Sequence, residues 1–359
     1  MIDLVVTQYF TYWRNVSLGS REILEGAVAP EHSAPSPELA RYLEVWNGHY
    51  YWESTPEGRW LVLIHESARP RDRWWLNVAL LLLTLLATSI GGATLAGING
   101  LWYRPTIHEM LAGLPFSLPL LAILLAHESG HYVAARRYRV NASPPYFVPF
   151  PPQLNLLGTL GAFIRLRSPV FDRRTLFDIG AAGPIAGMLV ALPVLLVGLS
   201  RSTVERGVAT LPWAHQYIVA DDFRFFLGDS LLMRACRALL GLHGVLHLHP
   251  IAVAGWVGLL VTSLNLLPLT QFDGGHIAFA LFGRAQSWIA RVFWLALIPL
   301  GLLSRSWWVW AALALVLGRG RLDHPRLVSP ERELDRTRRA FGYLTIVIFL
   351  ATFMPLPIS

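Results

Sequence analysis

Long apolar runs dominate the chain from residue 75 onward. Because a helix needs about 20 apolar residues to cross a membrane, they predict about six to eight transmembrane helices. The two runs at 287–303 and 305–318 are short, and together they form either a tight hairpin or a re-entrant segment. The segment 223–242 has apolar residues at helical spacing and can lie at the membrane interface instead of crossing it. The runs fall at 75–98, 114–135, 177–199, 250–270, 287–303, 305–318 and 341–357.

The first 73 residues have a different pattern. Apolar and aromatic runs in 41–67 are broken by the turn signal STPEG at 54–58, which predicts a β-hairpin. We therefore expect a small soluble α/β domain over residues 1–73. Residues 74–359 then form the membrane domain.

Composition and charge agree with a polytopic α-helical membrane protein. Hydrophobic residues make up 54% of the 359 residues and charged residues 15%, whereas soluble domains carry about 25% charge. All thirty basic residues are arginine, and the net charge is +7. The arginines cluster at 69–73, 136–139, 165–174 and 318–339, beside apolar runs, which indicates membrane topology and no nucleic-acid partner. This distribution predicts a multi-pass protein of the cell (inner, cytoplasmic) membrane with a cytoplasmic N-terminal domain.

Three ionisable residues interrupt the second run, in LLAHESGHYV at 124–133. His127, Glu128 and His131 form H-E-x-x-H, and positions i and i+4 share one helix face, so both imidazoles can reach one metal ion. Glu128 can then act as general base on a water molecule at the metal. The alternative is a pair of core histidines without metal. A second His-Glu-Ser at 65–67 has Arg69 in place of the second histidine and is not expected to bind metal.

A third ligand is expected on another element, because catalytic zinc usually has three protein ligands. The stretch NLLPLTQFDGGHI at 265–277 offers Asp273, the sole carboxylate between Asp229 and Asp323. Pro268 and the glycines at 274–275 predict a broken helix there, which is tolerated at membrane depth where it lines a wet cavity. Asn265 offers an amide for substrate backbone or an oxyanion.

H-E-x-x-H within a span, followed more than a hundred residues later by N-x-x-P-x-x-x-x-D-G-G, resembles the site-2 protease family of intramembrane zinc metalloproteases. GTLGAFIRLRSPVFDRRTLFDIGAAGPIAG at 158–187 is also similar to that family, in the branch shared by bacteria, archaea and plastids. The resemblance covers about 75–285, leaving 286–359 as extra C-terminal spans. It implies one Zn²⁺ per chain bound by His127, His131 and Asp273, with Glu128 as the catalytic base. The arginine distribution predicts that this site lies at the cytoplasmic end of the spans.

A protease must bind its substrate in an extended form, and residues 141–169 suit this. They are too Pro-rich for a helix, and GTLGAFIRL at 158–166 is typical of a strand. We expect a short membrane-associated β segment that pairs with an unwound substrate; an ordinary loop is the alternative. The expected substrate-pairing residues are Gly158, Thr159, Leu160, Gly161 and Ala162.

The resemblance thus implies an intramembrane endopeptidase that cuts in or near transmembrane segments of signalling or regulatory membrane proteins. Its partners would be a transmembrane protein substrate and the lipid bilayer. The alternative is a non-proteolytic membrane metal-binding protein or a metal transporter. A transporter needs ionisable groups on several spans, whereas those of this chain concentrate at one pair of motifs.

Overall fold

A computed structural model describes most of the chain, in two compact units. The first comprises Met1–Arg73, Val140–Ser143 and Leu166–Pro169, and the second comprises the remaining residues. The described residues are 4–18, 21–32, 36–46, 48–55, 58–66, 72–98, 106–138, 140–167, 170, 172–205, 213–220, 223–269, 272–322 and 333–358.

Within the described residues, the first unit contains an antiparallel sheet, one α-helix and two short 3₁₀ helices. Its strands are β1 (Phe10–Leu18), β2 (Arg21–Val28), β3 (Gly48–Thr55) and β4 (Gly58–Glu66), in the order β1-β2-β4-β3. β3 and β4 form the predicted hairpin. The helix α1 (Pro37–Glu44) starts at Ser36, whose hydroxyl accepts from the Leu39 N–H at 3.2 Å. Leu39 and Leu43 pack on the sheet residues Leu24, Leu61 and Leu63, which are buried.

The second unit is built from helices. Apolar residues dominate most of them, as the hydrophobic runs predict. They are α2 (Trp74–Leu95), α3 (Ile107–Ala112), α4 (Leu114–Arg137), α5 (Arg173–Leu199), α6 (Leu231–Leu239), α7 (Pro250–Asn265), α8 (Asp273–Phe282), α9 (Gln286–Leu303), α10 (Ser306–Leu317) and α11 (Arg336–Thr352).

Three stretches of helix in the described residues are long and apolar enough to cross a membrane: α2, α5 and α8 continued by α9. The helices α7 and α10 are apolar but shorter. With 24 residues, α4 measures about 36 Å, but its polar motif makes it less apolar than these three. A span is predicted at 250–270, but its helix ends at Asn265 because the chain turns there. The total of six to eight spans remains a prediction.

In the described part of the second unit, two small sheets accompany the helices. β5 (Tyr146–Pro149) pairs antiparallel with β6 (Thr159–Phe163) within the Pro-rich segment. The second sheet has the order β7-β10-β8-β9 and was not foreseen. Its strands are β7 (Thr203–Glu205), β8 (Gln216–Ala220), β9 (Phe223–Leu227) and β10 (Val245–His247).

The helical interpretation of 223–242 is wrong for its first residues. Residues 223–227 form β9, which pairs along its whole length with β8. A helix begins only at Leu231, where the Ser230 hydroxyl accepts from the Met233 N–H at 3.1 Å. The aromatic sequence FRFF favours a strand once a partner strand is available.

The core of the second unit lies between α4, α5 and α7. Phe116, Leu120, Leu195, Ala252 and Leu259 are at most 1% exposed and belong to one apolar cluster. This packing holds the polar motif of α4 against α5 on one side and the end of α7 on the other.

Candidate metal centre

The two histidines of α4 point to the same place. His127 and His131 are 4% and 7% exposed, and Glu128 between them is 7% exposed. The Nε2 atoms of the two imidazoles lie 3.1 Å apart. This is the geometry that i and i+4 positions on a helix provide.

Asp273 reaches the histidines from a second element. Its Oδ2 lies 3.3 Å from His127 Nε2 and 3.2 Å from His131 Nε2. Asp273 is the first residue of α8 and not the end of the preceding apolar run, because the chain leaves the helix after Asn265. The turn is so tight that a Cβ on Gly274 would lie 2.0 Å from the Leu266 carbonyl oxygen, so this position requires glycine.

The three side chains fit a zinc ion. Among the described residues they form one cluster of ligand atoms within 4.8 Å of one another. Zinc–ligand distances of 2.0–2.2 Å in a tetrahedron place ligand atoms about 3.3–3.6 Å apart. The observed separations of 3.1, 3.2 and 3.3 Å are close to that spacing. Two imidazoles and one carboxylate are also a ligand set that zinc accepts.

His131 has the tautomer that a metal ligand needs. Its Nδ1–H donates to the Ile179 carbonyl at 2.7 Å, which leaves the lone pair of Nε2 free to face Asp273. Such a partner on the second ring nitrogen orients metal-binding histidines. Every residue type has a backbone carbonyl, so no sequence pattern could mark this partner.

Gly183 of α5 makes room for this imidazole. A Cβ at Gly183 would lie 2.1 Å from His131 Nε2, and one at Gly187 would lie 3.2 Å from His127 Cβ. The small residues at these positions therefore serve the site as well as close helix packing. The family resemblance includes this segment, but spacing alone did not assign Gly183 to the metal centre.

Glu128 and Asn265 border the ligands. The backbone of Ile164, directly after β6, hydrogen-bonds the Glu128 carboxylate. The Asn265 amide donates to His127 Nε2 at 3.0 Å, so the end of α7 is part of the same site. Glu128 therefore lies between the three candidate metal ligands and the β5–β6 hairpin.

The residues expected to pair with substrate lie at β6. Gly158 precedes the strand, and the Thr159 hydroxyl donates to the Val148 carbonyl at 2.8 Å, so Thr159 serves the hairpin itself. Leu160 is 62% exposed. Gly161 is next in the strand, and Ala162 lies opposite Phe147 of β5. In the described part of the chain β6 pairs with β5 alone, so its other edge has no partner strand there.

Comparison with known proteins identifies relatives. The family described as Peptidase family M50 matches residues 115–298. The probable zinc metalloprotease EGY1, chloroplastic, of Oryza sativa subsp. japonica is 31% identical over 68% of this chain and 41% of its own length. The protein of the same name from Arabidopsis thaliana is 38% identical over 48% of this chain and 30% of its own length. The probable zinc metalloprotease EGY2, chloroplastic, of that plant is 29% identical over 69% of this chain and 42% of its own length. The chain spans less than half the length of these curated relatives. No solved structure matches it significantly.

Proposed function

The chain belongs to peptidase family M50, whose match covers residues 115–298 of 359, and we propose that it is a zinc-dependent intramembrane endopeptidase. It hydrolyses peptide bonds in or near transmembrane segments of signalling and regulatory membrane proteins. The observation that carries this proposal is the triangle formed by the buried His127 and His131 and the partly buried Asp273, with Glu128 beside it.

Zinc is the cofactor, one ion per chain, and His127, His131 and Asp273 would hold it. When bound, it supplies a Lewis acid that polarises a carbonyl oxygen and makes a water molecule acidic near neutral pH. The Nδ1–H of His131 on the Ile179 carbonyl keeps that imidazole in its ligand orientation.

Glu128 moves the proton in this proposal. Its carboxylate accepts a proton from the attacking water, and the same carboxyl then donates it to the leaving amide nitrogen as the peptide bond breaks. The Ile164 backbone holds the carboxylate in place. Asn265 lies at the edge of the metal position and would bind substrate backbone or the developing oxyanion.

The substrate would bind beside β6. Backbone groups of every second residue point to the same edge of a strand, so Ala162 shares the edge on which Ile164 contacts Glu128. A substrate segment that pairs with this edge would run past the general base in an extended form. Gly158, Thr159, Leu160, Gly161 and Ala162 remain the substrate-strand residues of the proposal.

The proposed setting is the cell (inner, cytoplasmic) membrane, crossed six to eight times. The arginine clusters at 69–73, 136–139, 165–174 and 318–339 would then face the cytoplasm. The soluble domain over residues 1–73 and the zinc-bearing end of α4 lie on that side in this proposal. Residues 74–359 form the catalytic domain, with its core at 75–285.

The Glu128→Gln variant tests the function. Gln keeps the shape of the side chain but cannot accept a proton, so we expect zinc to stay at one ion per chain while cleavage falls at least about a hundredfold. Purified protein in lipid vesicles is assayed for zinc by elemental analysis and for cleavage of single-span model substrates. The Asp273→Ala variant is the contrast, because it should lose both zinc and activity.

A metal transporter would give a different result. Zinc would cross the vesicle membrane at equal rates with the wild type and with Glu128→Gln, and neither form would cut a substrate. If the chain is a protease, the Glu128→Gln protein purified from cells should instead retain uncut substrate and so identify it.

A further inference from the structure

Three side chains tie α11 to the ends of α4 and α5. Arg338 of α11 donates from Nε to Asp178 Oδ1 at 2.9 Å and from Nη2 to Asp178 Oδ2 at 2.8 Å. Its Nη2 also donates to the Tyr138 hydroxyl at 3.0 Å, and that hydroxyl donates to Asp178. We call Tyr138, Asp178 and Arg338 the Arg338 clasp. A guanidinium fork on both carboxylate oxygens fixes direction as well as distance.

The clasp lies next to the support of a metal ligand. Asp178 directly precedes Ile179, whose carbonyl accepts the Nδ1–H of His131 at 2.7 Å. Tyr138 caps the C-terminal end of α4, seven positions after His131. The two helices that enclose the His131 imidazole are therefore joined to each other by the bond between Tyr138 and Asp178, and Arg338 joins both to α11, close to this side chain.

A second contact holds the same part of the chain. Arg174, in the first turn of α5, donates from Nε to the Glu333 carbonyl at 3.0 Å, just before α11 begins. Residues 333 and 338 thus contact α5 at its first turn and one turn further on. Both residues lie beyond 115–298, the part that matches the peptidase family.

We propose that Arg338 is a positioning residue for the metal centre: by fixing Asp178 it keeps the Ile179 carbonyl where it orients His131. This inference rests on the proposed zinc site. It gives a role to the C-terminal helix, which contributes no metal ligand among the residues that the structure describes.

Arg338 acts on the metal centre through the position of the Ile179 carbonyl more than through the energy of its ion pair with Asp178. The side chains of Arg338 and Asp178 are 28% and 23% exposed, and ion pairs with access to water add little stability. The bond from His131 to Ile179 is 2.7 Å, and a displacement of about 1 Å would take it beyond hydrogen-bonding distance. Loss of such an outer partner typically weakens metal binding by about 10- to 100-fold.

Metal affinity of the full-length protein tests the inference. Metal-free protein is titrated with zinc against a competing chelator, and with cobalt(II), whose absorption reports ligand geometry. We expect Arg338→Ala and Asp178→Asn to weaken zinc binding about tenfold each. Arg338→Lys keeps the charge but loses the fork, so its affinity should be intermediate. If Arg338→Ala does not fold, Arg338→Lys still tests the inference.

Arg339→Ala is the matched control. Arg339 adjoins Arg338, but it forms an ion pair with Glu333 in which the two side chains are 50% and 73% exposed. We therefore expect Arg339→Ala to bind zinc with wild-type affinity. The double variant Arg338→Ala with Asp178→Asn should bind zinc no more weakly than the weaker of these two single variants, because both changes remove the same link.

The outcomes separate this inference from the proposed function. Wild-type affinity in the folded fraction of all Arg338 and Asp178 variants, even with a lowered unfolding temperature, would show a purely structural ion pair and overturn the inference. A wild-type protein that takes up no zinc would overturn the proposed function instead.

Discussion

At the scale of single residues, the absence of one methyl group decides whether the metal centre can form. A Cβ at Gly183 would lie 2.1 Å from His131 Nε2 and 2.4 Å from Cε1, far inside van der Waals contact. The imidazole is 7% exposed, and its Nδ1 is held by the Ile179 carbonyl at 2.7 Å. We therefore expect Gly183→Ala to reduce bound zinc at least about tenfold, with a parallel loss of cleavage. Elemental analysis of the purified variant measures this.

Gly180→Ala is the control in the same helix. Its Cβ would lie 3.3 Å from His276 Cβ, a contact that a small shift relieves, so zinc should remain near one ion per chain. Full zinc occupancy in Gly183→Ala would contradict the position described for His131.

Residue types indicated the proposed ligands of this site but not the groups that support them. His127 and His131 are readable because four positions separate them on a helix, and Asp273 because carboxylates are scarce in the apolar region. The partner of His131 Nδ1 is a backbone carbonyl, which any residue provides. The contact of Arg338 with Asp178 joins positions 160 residues apart, and no local pattern marks it.

At the scale of elements, α7 begins with a hydrogen bond that depends on pH. His249 Nδ1 accepts from the Ile251 N–H at 3.2 Å, which requires an unprotonated nitrogen. Burial, with Arg201 nearby, lowers the pKa of His249. A lowered folded-state pKa gives stability that is present above the unfolded value of about 6.5 and is lost as the pH falls through the folded value.

We therefore expect the unfolding temperature of the wild type to fall more steeply than that of His249→Asn between about pH 7.5 and 5.5, on either side of the ordinary histidine pKa. Asparagine caps a helix without titrating. The unfolding temperatures of both proteins are measured in the same detergent across this pH range. Because the two proteins share all other histidines, the difference between their pH profiles reports the titration of His249. Parallel pH profiles would argue against a titrating cap.

The β5–β6 hairpin offers a test of substrate pairing. Ala162→Pro removes one N–H from the edge that we assign to substrate, and we expect turnover to fall about tenfold or more with zinc retained. Ala162→Val keeps the N–H and should cut at close to the wild-type rate. Cleavage of model substrates in vesicles is compared for the two variants. Equal turnover would place the substrate elsewhere.

The elements that the sequence predicted are those with local signals. The break between α7 and α8 follows from Pro268 and Gly274, and the β3–β4 hairpin follows from its turn residues. The sheet of β7, β8, β9 and β10 was missed because its strands have three to five residues, and β10 pairs with β8 and β7 across more than 25 residues. Tertiary pairing, more than local pattern, made residues 223–227 a strand.

At the scale of the whole molecule, the proposed metal centre joins distant parts of the chain. His131 and Asp273 are 142 positions apart in sequence, yet their side-chain atoms lie 3.2 Å apart. The contact unites α4 with α8, and the Ile179 carbonyl adds α5. The need of zinc for a third ligand and the scarcity of carboxylates predicted this meeting point, and the family resemblance implied the same three residues, whereas composition and apolar runs alone indicate only helices in a membrane.

Removal of the metal should therefore loosen the folded protein as a whole. An ion that binds the folded state alone stabilises it by about 2.7 kcal/mol when its free concentration is a hundred times the dissociation constant. We expect a chelator to lower the unfolding temperature of the wild type and of Glu128→Gln by several degrees, and added zinc to restore it. Asp273→Ala should start at the lower temperature and respond to neither, because it lacks a ligand. The unfolding temperature is measured in detergent with and without chelator. If no chelator changes the unfolding temperature of the zinc-loaded wild type, the ion does not join these helices.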